Sequence, residues 1–419
     1  MSAGAEAART LRSRPAVAYM SGEFLSQSGT YLSVTAQAWV VLEAGYQPLA
    51  LGVLMAARYA PAALLGPAIG KYVDSRDPRR LVLLANYAQA LLALAVMALA
   101  FTPGSLLFIP FVIAGSASQV FAMLEHAGRM AYVAAIVPDG VRARFAGATS
   151  SASTLGRIVG PAFASLILTV GPSGLCFAVD ALTFVLAALL LPRPRYEVRI
   201  AGPSPLREGF RYIWSLPKVR DLLIIFSLVS LVSFNVATMV PLVVREDYDN
   251  DPWVLAAFNI AFGIGSFLGG AVRAWLRTGA ATSAFLGLLL FGSAFVAFGL
   301  TPSLAVVLAL LFAGGFGRLM FTASSEAVLA VGVSQERRGL VGSLYAVAFT
   351  GTTPLGAILV TSLSGHVGTG ATLVVCGLAA IAGGVAYAVS LAVHRGRGGT
   401  DAADRPAARH AETEKRQPR

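Results

Sequence analysis

Charge is scarce in this 419-residue chain: Asp, Glu, Lys and Arg make up 13%, where soluble domains carry roughly 25%. That shortage excludes a water-soluble globule. Cysteine is nearly absent, and Cys176 and Cys376 both sit in apolar runs, which excludes a disulfide framework and leaves them as small core residues. The four histidines, His126, His366, His394 and His410, show no metal-ligand spacing. No Walker loop is present, so nucleotide binding of that kind is excluded. Lysine is also rare, three residues against 29 arginines, a composition that points to a GC-rich bacterial genome.

Uncharged apolar length is abundant instead. Residues 81–124, 222–244, 252–272, 278–317 and 339–393 contain no Asp, Glu, Lys or Arg. Each holds one or two stretches of the roughly 20 apolar residues that cross a bilayer. Lipid offers the backbone no hydrogen-bond partner, and the runs are too long and apolar for outer-membrane strands, so helices are expected. Proline, glycine and charge punctuation divides them into twelve spans: 16–42, 47–70, 81–101, 105–136, 144–170, 173–192, 220–244, 252–272, 280–300, 303–331, 339–363 and 370–393. The expected class is an all-α membrane protein of two six-helix bundles, 16–192 and 220–393. An N-tail (1–15), a linker (193–219) and a disordered C-tail (394–419) complete the division.

An even number of spans puts both termini on one side, and the basic residues choose the side, because Lys and Arg near short loops are retained in the cytoplasm. Twenty-seven of the 32 Lys and Arg then fall inside, only Arg245 falls outside, and Arg58, Arg129, Arg157 and Arg318 lie within spans. The net charge of +11 is thus a topology signal, and nucleic acid is not an expected partner. Arg9, Arg12 and Arg14 before an apolar run imitate a signal peptide, but no small-residue cleavage site follows, so a cytoplasmic tail is expected. In the linker, Leu206, Phe210, Ile213 and Trp214 share one helical face, which suits a helix lying on the membrane surface.

The halves repeat. Gly66 and Gly70 recur as Gly265 and Gly269 at an offset of 199 residues, and Gly147 and Gly156 recur as Gly342 and Gly351 at 195. Small residues four apart let membrane helices approach closely. Two parallel six-helix repeats, a long central inner loop and inner termini resemble the major facilitator superfamily over residues 11–393. The loop from Gly66 to Arg80 is similar to that family's signature between spans two and three, with Gly70, Asp74, Arg79 and Arg80 in the matching places. The span-five run Gly147, Gly156, Gly160, Pro161 is similar to the motif of exporters that exchange substrate for protons. The Asp77-Pro78 loop, Glu208 to Ile213 and Val179 to Phe184 resemble the branch of macrolide and siderophore exporters.

The resemblance implies that Asp74 meets the inner end of a helix in the opposite half and holds the cytoplasmic side closed, as a carboxylate is stabilised at a helix N-terminus. Arg79 and Arg80 either share that gate or anchor the topology. Gly156, Gly160 and Pro161 imply a kinked, tight contact between the halves, or ordinary helix packing of the same shape. Ser75 and Pro78 stand where the loop is usually basic, and Ala164 and Ser165 where the span-five motif usually ends in glycines. Thr30 and Val34 stand where many relatives carry an acid, so the resemblance supplies no proton site.

Ionisable residues inside hydrocarbon usually face a partner or a wet cavity. Four acids, Glu23, Glu125, Asp180 and Glu326, accompany the four arginines. At about 1.5 Å rise per residue, Arg157 and Asp180 fall at similar depth and are expected to form a buried pair between spans five and six. Glu125 and Arg129, one turn apart, either pair locally or face a shared cavity. The cavity is expected to hold Glu23, Arg58, Glu125, Arg129, Arg318 and Glu326 with Tyr19, Phe24, Tyr31, Trp39 and Tyr59. Glu125 or Glu326 is expected to carry a proton, with Glu23 a third candidate. His126 either titrates beside them or is a passive hydrogen-bonder.

The function expected is proton-coupled export of an amphiphilic small molecule by alternating access, across a bacterial plasma membrane. Import of a metabolite by proton symport is the alternative. No cofactor or metal is expected, the acidic stretch Arg245 to Asp251 being a solvated loop, and energy would come from the proton gradient. The expected partners are substrate, protons and lipid, with the chain a monomer. An enzyme is not expected, since no nucleophile–base set is visible.

Overall fold

A computed structural model describes residues 13–74, 76–101, 108–137, 139–193, 214, 216–276, 279–332 and 351–403. Among them are thirteen long helices and no strand: α1 (Arg14–Glu43), α2 (Pro48–Asp74), α3 (Pro78–Ala100), α4 (Phe108–Ile136), α5 (Asp139–Val170), α6 (Gly174–Leu189), α7 (Pro217–Ser233), α8 (Val236–Asp247), α9 (Pro252–Trp275), α10 (Ala280–Phe298), α11 (Leu304–Gly332), α12 (Thr353–Val367) and α13 (Thr369–Ala403). Proline opens α1, α3, α7, α9 and α12, where its missing N–H costs nothing. Asp77 caps α3 by accepting from the N–H groups of Arg79 and Arg80, and Asp251 caps α9 by accepting from Trp253.

Helices α7 and α8 form one crossing, so twelve crossings result. In the first half α1 packs on α5 and α6, α2 on α4, and α3 on α4 and α6. In the second half α7 packs on α12 and α13, α9 on α11, and α10 on α11 and α13. These are the same five pairings displaced by six crossings, which is the repeat written in contacts. The halves meet where α2 lies on α12 and α5 on α9, and α8 also leans on α1.

Two boundaries differ from the sequence expectation. Span seven is broken at Phe234 and Asn235, because Asn235 Nδ2 donates to the Leu231 carbonyl at 2.9 Å and takes over a backbone acceptor of the helix. The last helix continues to Ala403 rather than ending at Val393. Ser390 and His394 both reach Asp221 Oδ2, at 2.8 and 3.1 Å, and tie the helix to the start of α7 at the point where the extension begins. The linker face of Leu206, Phe210 and Ile213, and most of the N- and C-tails, lie outside the described residues.

The halves bury different chemistry. Phe226, Phe234, Phe291 and Phe321 form a ring cluster in the second half, with centroids 5.3–6.1 Å apart. All five buried charges among the described residues, Glu23, Arg58, Glu125, Arg129 and Asp180, are in the first half.

Candidate functional site

Helix α1 places Tyr19, Glu23 and Ser26 on one face, at the spacing of successive turns. That face meets Gln89 of α3 and the Glu125–Arg129 turn of α4. Arg129 Nε lies 2.8 Å from Glu125 Oε1 and 3.2 Å from Glu23 Oε2, with all three side chains buried. Ser26 Oγ lies 2.8 and 2.9 Å from the two Glu125 oxygens, and Gln89 Nε2 donates to Oε2 at 2.9 Å. Tyr19 lies under the guanidinium, 5.5 Å from ring centroid to Arg129 Cζ, and its hydroxyl donates to the Arg129 carbonyl. Glu23 also feels α5, where Ser153 and Arg157 lie within electrostatic range of it. Two carboxylates share one cation, so the cluster is neutral only when it holds one proton.

A second buried layer lies nearer the far ends of the helices. Arg58, 2% exposed, donates from Nη1 to Gln37 Oε1 at 3.3 Å. Gln37 Nε2 is 3.4 Å from Ser33 Oγ, and Ser33 and the Arg58 charge both act on the Asp180 carboxylate. Gly29 makes the room: a Cβ there would meet Asp180 Oδ1 at 2.7 Å.

Between the halves stands a wall of accessible groups. Arg157, His126 and Glu326 are exposed, and Arg318 is half-buried. Arg157 lies over the Tyr31 ring at 5.8 Å, and Arg318 lies over Phe234 and Phe262 at 5.4 and 5.8 Å. Arg157 acts electrostatically on Glu326 across the gap, and both Arg157 and Arg318 act on Tyr59. Among the described residues, hydrogen bonds between the halves lie toward the side away from the termini. Arg245 Nη1 of α8 donates to the Tyr46 carbonyl after α1, and Asn259 Nδ2 of α9 donates to Ser165 Oγ of α5 at 3.0 Å. These two contacts hold the halves together on that far side.

Several expectations change. The Arg157–Asp180 bridge is not formed among the described residues: the two are at similar depth but on different azimuths, with Asp180 turned toward α1 and Arg157 toward the cavity. Arg58 is inside the first half rather than in the cavity, because Gln37 and the Asp180 layer hold it there. Arg129 is buried by Glu23 and Glu125 rather than lining the cavity, and Arg157 is the arginine that acts on Glu326. Tyr19 and Trp39 are buried in the core, while Phe24, Tyr31 and Tyr59 are half-buried. Gly156 and Gly160 do not join the halves. They seat α5 on α1 of the same half, where a Cβ would come within 2.7 Å of the Phe24 carbonyl and 2.5 Å of the Ser28 carbonyl. The contact between halves uses the opposite face of α5, through Ile158 against Gly263.

Of the loop residues, Gly70 and Asp74 fall in the last turns of α2, and the Asp74 side chain lies outside the described residues. Arg80 pairs with Asp77 at 3.5 Å, and Arg79 Nε donates to the Pro192 carbonyl at 3.2 Å, anchoring α3 to the end of α6. Gly147 is in open space. The sequence reading missed Ser26, Ser33, Gln37, Gln89 and Ser153. A signal existed for Gln37 and Gln89, the amides standing in apolar spans, since an amide in hydrocarbon needs a partner.

The family model described as "Major Facilitator Superfamily" matches residues 19–278, more than half of the chain. "Macrolide efflux protein A" of Enterococcus faecalis is 23% identical over 220 residues, 51% of this chain and 68% of that protein. The protein of the same name from Streptococcus pyogenes is 23% identical, and the match spans 54% of it. Among solved structures, the inward-facing, occupied bacterial homolog of the human lysosomal transporter Spinster superimposes with a TM-score of 0.72 at 14% identity, covering 90% of this chain and 96% of that one. The nucleoside transporter NupG (D323A mutant) gives 0.71 at 13% identity, covering 90% and 99%. At these identities the structures share the fold.

Proposed function

The chain belongs to the Major Facilitator Superfamily, and from that premise we propose that it exports an amphiphilic small molecule in exchange for protons, by alternating access across a bacterial plasma membrane. It is a multi-pass membrane transporter and not an enzyme. The observation that carries proton coupling is the buried Glu23–Arg129–Glu125 triad. Burying an uncompensated charge is expensive, so two carboxylates around one guanidinium hold a proton between them. Ser26, Gln89 and Arg129 donate to Glu125 and fill both of its oxygens. Glu125 is the fixed counter-ion. Glu23 has fewer donors and lies within electrostatic range of Arg157 on the cavity wall, so Glu23 carries the proton. When it leaves, negative charge returns beside the cavity, and a substrate with a positive end competes with the proton for that charge.

The cavity groups divide the remaining work. Glu326, Arg157 and Arg318 orient the polar end of the substrate, and Tyr31, Tyr59, Phe234 and Phe262 meet its apolar body. The basic residues around the termini support a cytoplasmic placement of both tails. The likeness to macrolide efflux proteins and the span-five glycines support export. Flux of dyes and macrolides in proteoliposomes under an imposed proton gradient tests the reading. Wild type moves solute only with the gradient, Glu23→Gln abolishes coupled flux, and Glu125→Gln leaves slow, pH-independent flux. Gradient-independent wild-type flux removes the coupling, and uptake in the direction of the proton reverses the assignment to symport.

A further inference from the structure

A second cavity lies outside the transport path, where the start of α3 passes the end of α6 on the side of the termini. Its volume is about 480 Å³, and it is lined by Arg79, Leu83, Tyr87, Leu189, Leu191 and Arg193. Neither α3 nor α6 packs against the second half in the main helix contacts, so the cavity opens to lipid.

Its chemistry is divided by depth. At the rim, Arg79 is fixed by its Nε on the Pro192 carbonyl, an oxygen that also accepts from the Tyr132 hydroxyl. Among the described residues the two Arg79 terminal nitrogens have no protein partner, and Arg193, exposed, makes no hydrogen bond or ion pair. Among the described residues, the nearby acid Asp77 is occupied by the α3 N-terminus and Arg80. Below the rim the two helices present an apolar strip toward the bilayer centre. Tyr87, Leu91 and Leu94 of α3 are 49%, 69% and 45% exposed, and Leu182, Leu186 and Leu189 of α6 are 54%, 37% and 70% exposed.

We infer that this cavity binds an anionic phospholipid of the leaflet on the side of the termini. The phosphate would sit between Arg79 and Arg193, and an acyl chain would lie along α3 and α6. Guanidinium groups match phosphate oxygens in pairs, and basic pockets between membrane helices at this depth suit acidic headgroups. A zwitterionic lipid brings its own cation against two arginines. A free phosphate leaves the apolar strip uncovered. The site is independent of the proton triad and of the transport direction.

Native mass spectrometry of the purified full chain, titrated with dioleoyl-phosphatidylglycerol, dioleoyl-phosphatidylcholine or glycerol 3-phosphate, tests the inference. Phosphatidylglycerol should be retained about tenfold more than phosphatidylcholine, and glycerol 3-phosphate should not be retained. Arg193→Gln, which breaks no hydrogen bond or ion pair among the described residues, should lower phosphatidylglycerol retention about fivefold, Arg193→Lys should restore most of it, and Arg80→Gln should leave it unchanged. Equal retention of the two lipids, or loss in Arg80→Gln as large as in Arg193→Gln, would mean diffuse surface charge and overturn the site. Retention of glycerol 3-phosphate as strong as that of the lipid would overturn the lipid assignment. Because Arg79→Gln could also loosen α3, the conclusion rests on the Arg193 pair of variants.

Discussion

Arg129→Gln removes the one cation bonded to Glu23 and Glu125 and leaves two carboxylates facing each other in the core. Each arginine–carboxylate contact, at 2.8 and 3.2 Å, is worth about 5–6 kcal/mol gross at an effective dielectric near 20. Desolvation cancels much of this in the intact triad, but removing one partner leaves the others uncompensated, at about 3–5 kcal/mol. The glutamine can still donate one hydrogen bond to Glu125, which places the expected loss at the lower end, about 3 kcal/mol. Replacing all three charges by Gln removes the uncompensated groups together and should recover stability to within about 1 kcal/mol of wild type. Reversible unfolding in mixed micelles at neutral pH, followed by tryptophan fluorescence, measures both. The deficit of Arg129→Gln should shrink on acidification, as the orphaned carboxylates take up protons. A single variant within about 1 kcal/mol of wild type, or a triple variant no better than the single, would refute the charge accounting.

Gly160→Leu should abolish folded protein in detergent-solubilised membranes, since a Cβ there is already 2.5 Å from the Ser28 carbonyl and 3.0 Å from the Leu32 amide. Gly147→Ala meets nothing within 4 Å and should leave yield unchanged or raise stability by up to about 1 kcal/mol. Arg245→Ala should unlatch the far side. A cysteine at Glu326, reached by a membrane-impermeant thiol reagent only from the side of the termini in an otherwise native chain, should then be labelled from both sides. Labelling confined to one side would show that the Tyr46 contact is no latch. Cys176 and Cys376 are buried, so the background should be low.

The helical class, the repeat and the Glu125–Arg129 turn were legible because each depends on spacing along one helix. Glycines four apart, charge-free runs and an i,i+4 ion pair need no knowledge of neighbours. The relations between helices were not legible. Depth follows from rise per residue, so Arg157 and Asp180 were rightly put at one level, but azimuth does not, and they point to different surroundings. Glu23 joins Arg129 because α1 lies against α3 and α4, a fact no local pattern carries. The break at Phe234–Asn235 has neither Gly nor Pro to announce it. It depends on an asparagine amide folding back on its own helix, and on α12 bringing Gly356 against the Leu231 carbonyl.

The separation of Glu23 from Arg129 has a consequence for biogenesis. Helix α1 leaves the ribosome with a carboxylate whose counter-charge is encoded 106 residues later, beyond α2 and α3 and near the end of α4. A lone acid costs about 2.5–3.5 kcal/mol at the centre of an inserting helix on translocon scales, and somewhat less for Glu23, a third of the way along α1. The serines, threonines and glutamine that later pack against its neighbours also thin its hydrophobicity. The first helix is therefore the least able to settle in the bilayer alone, and its stable placement waits until α4 has been synthesised.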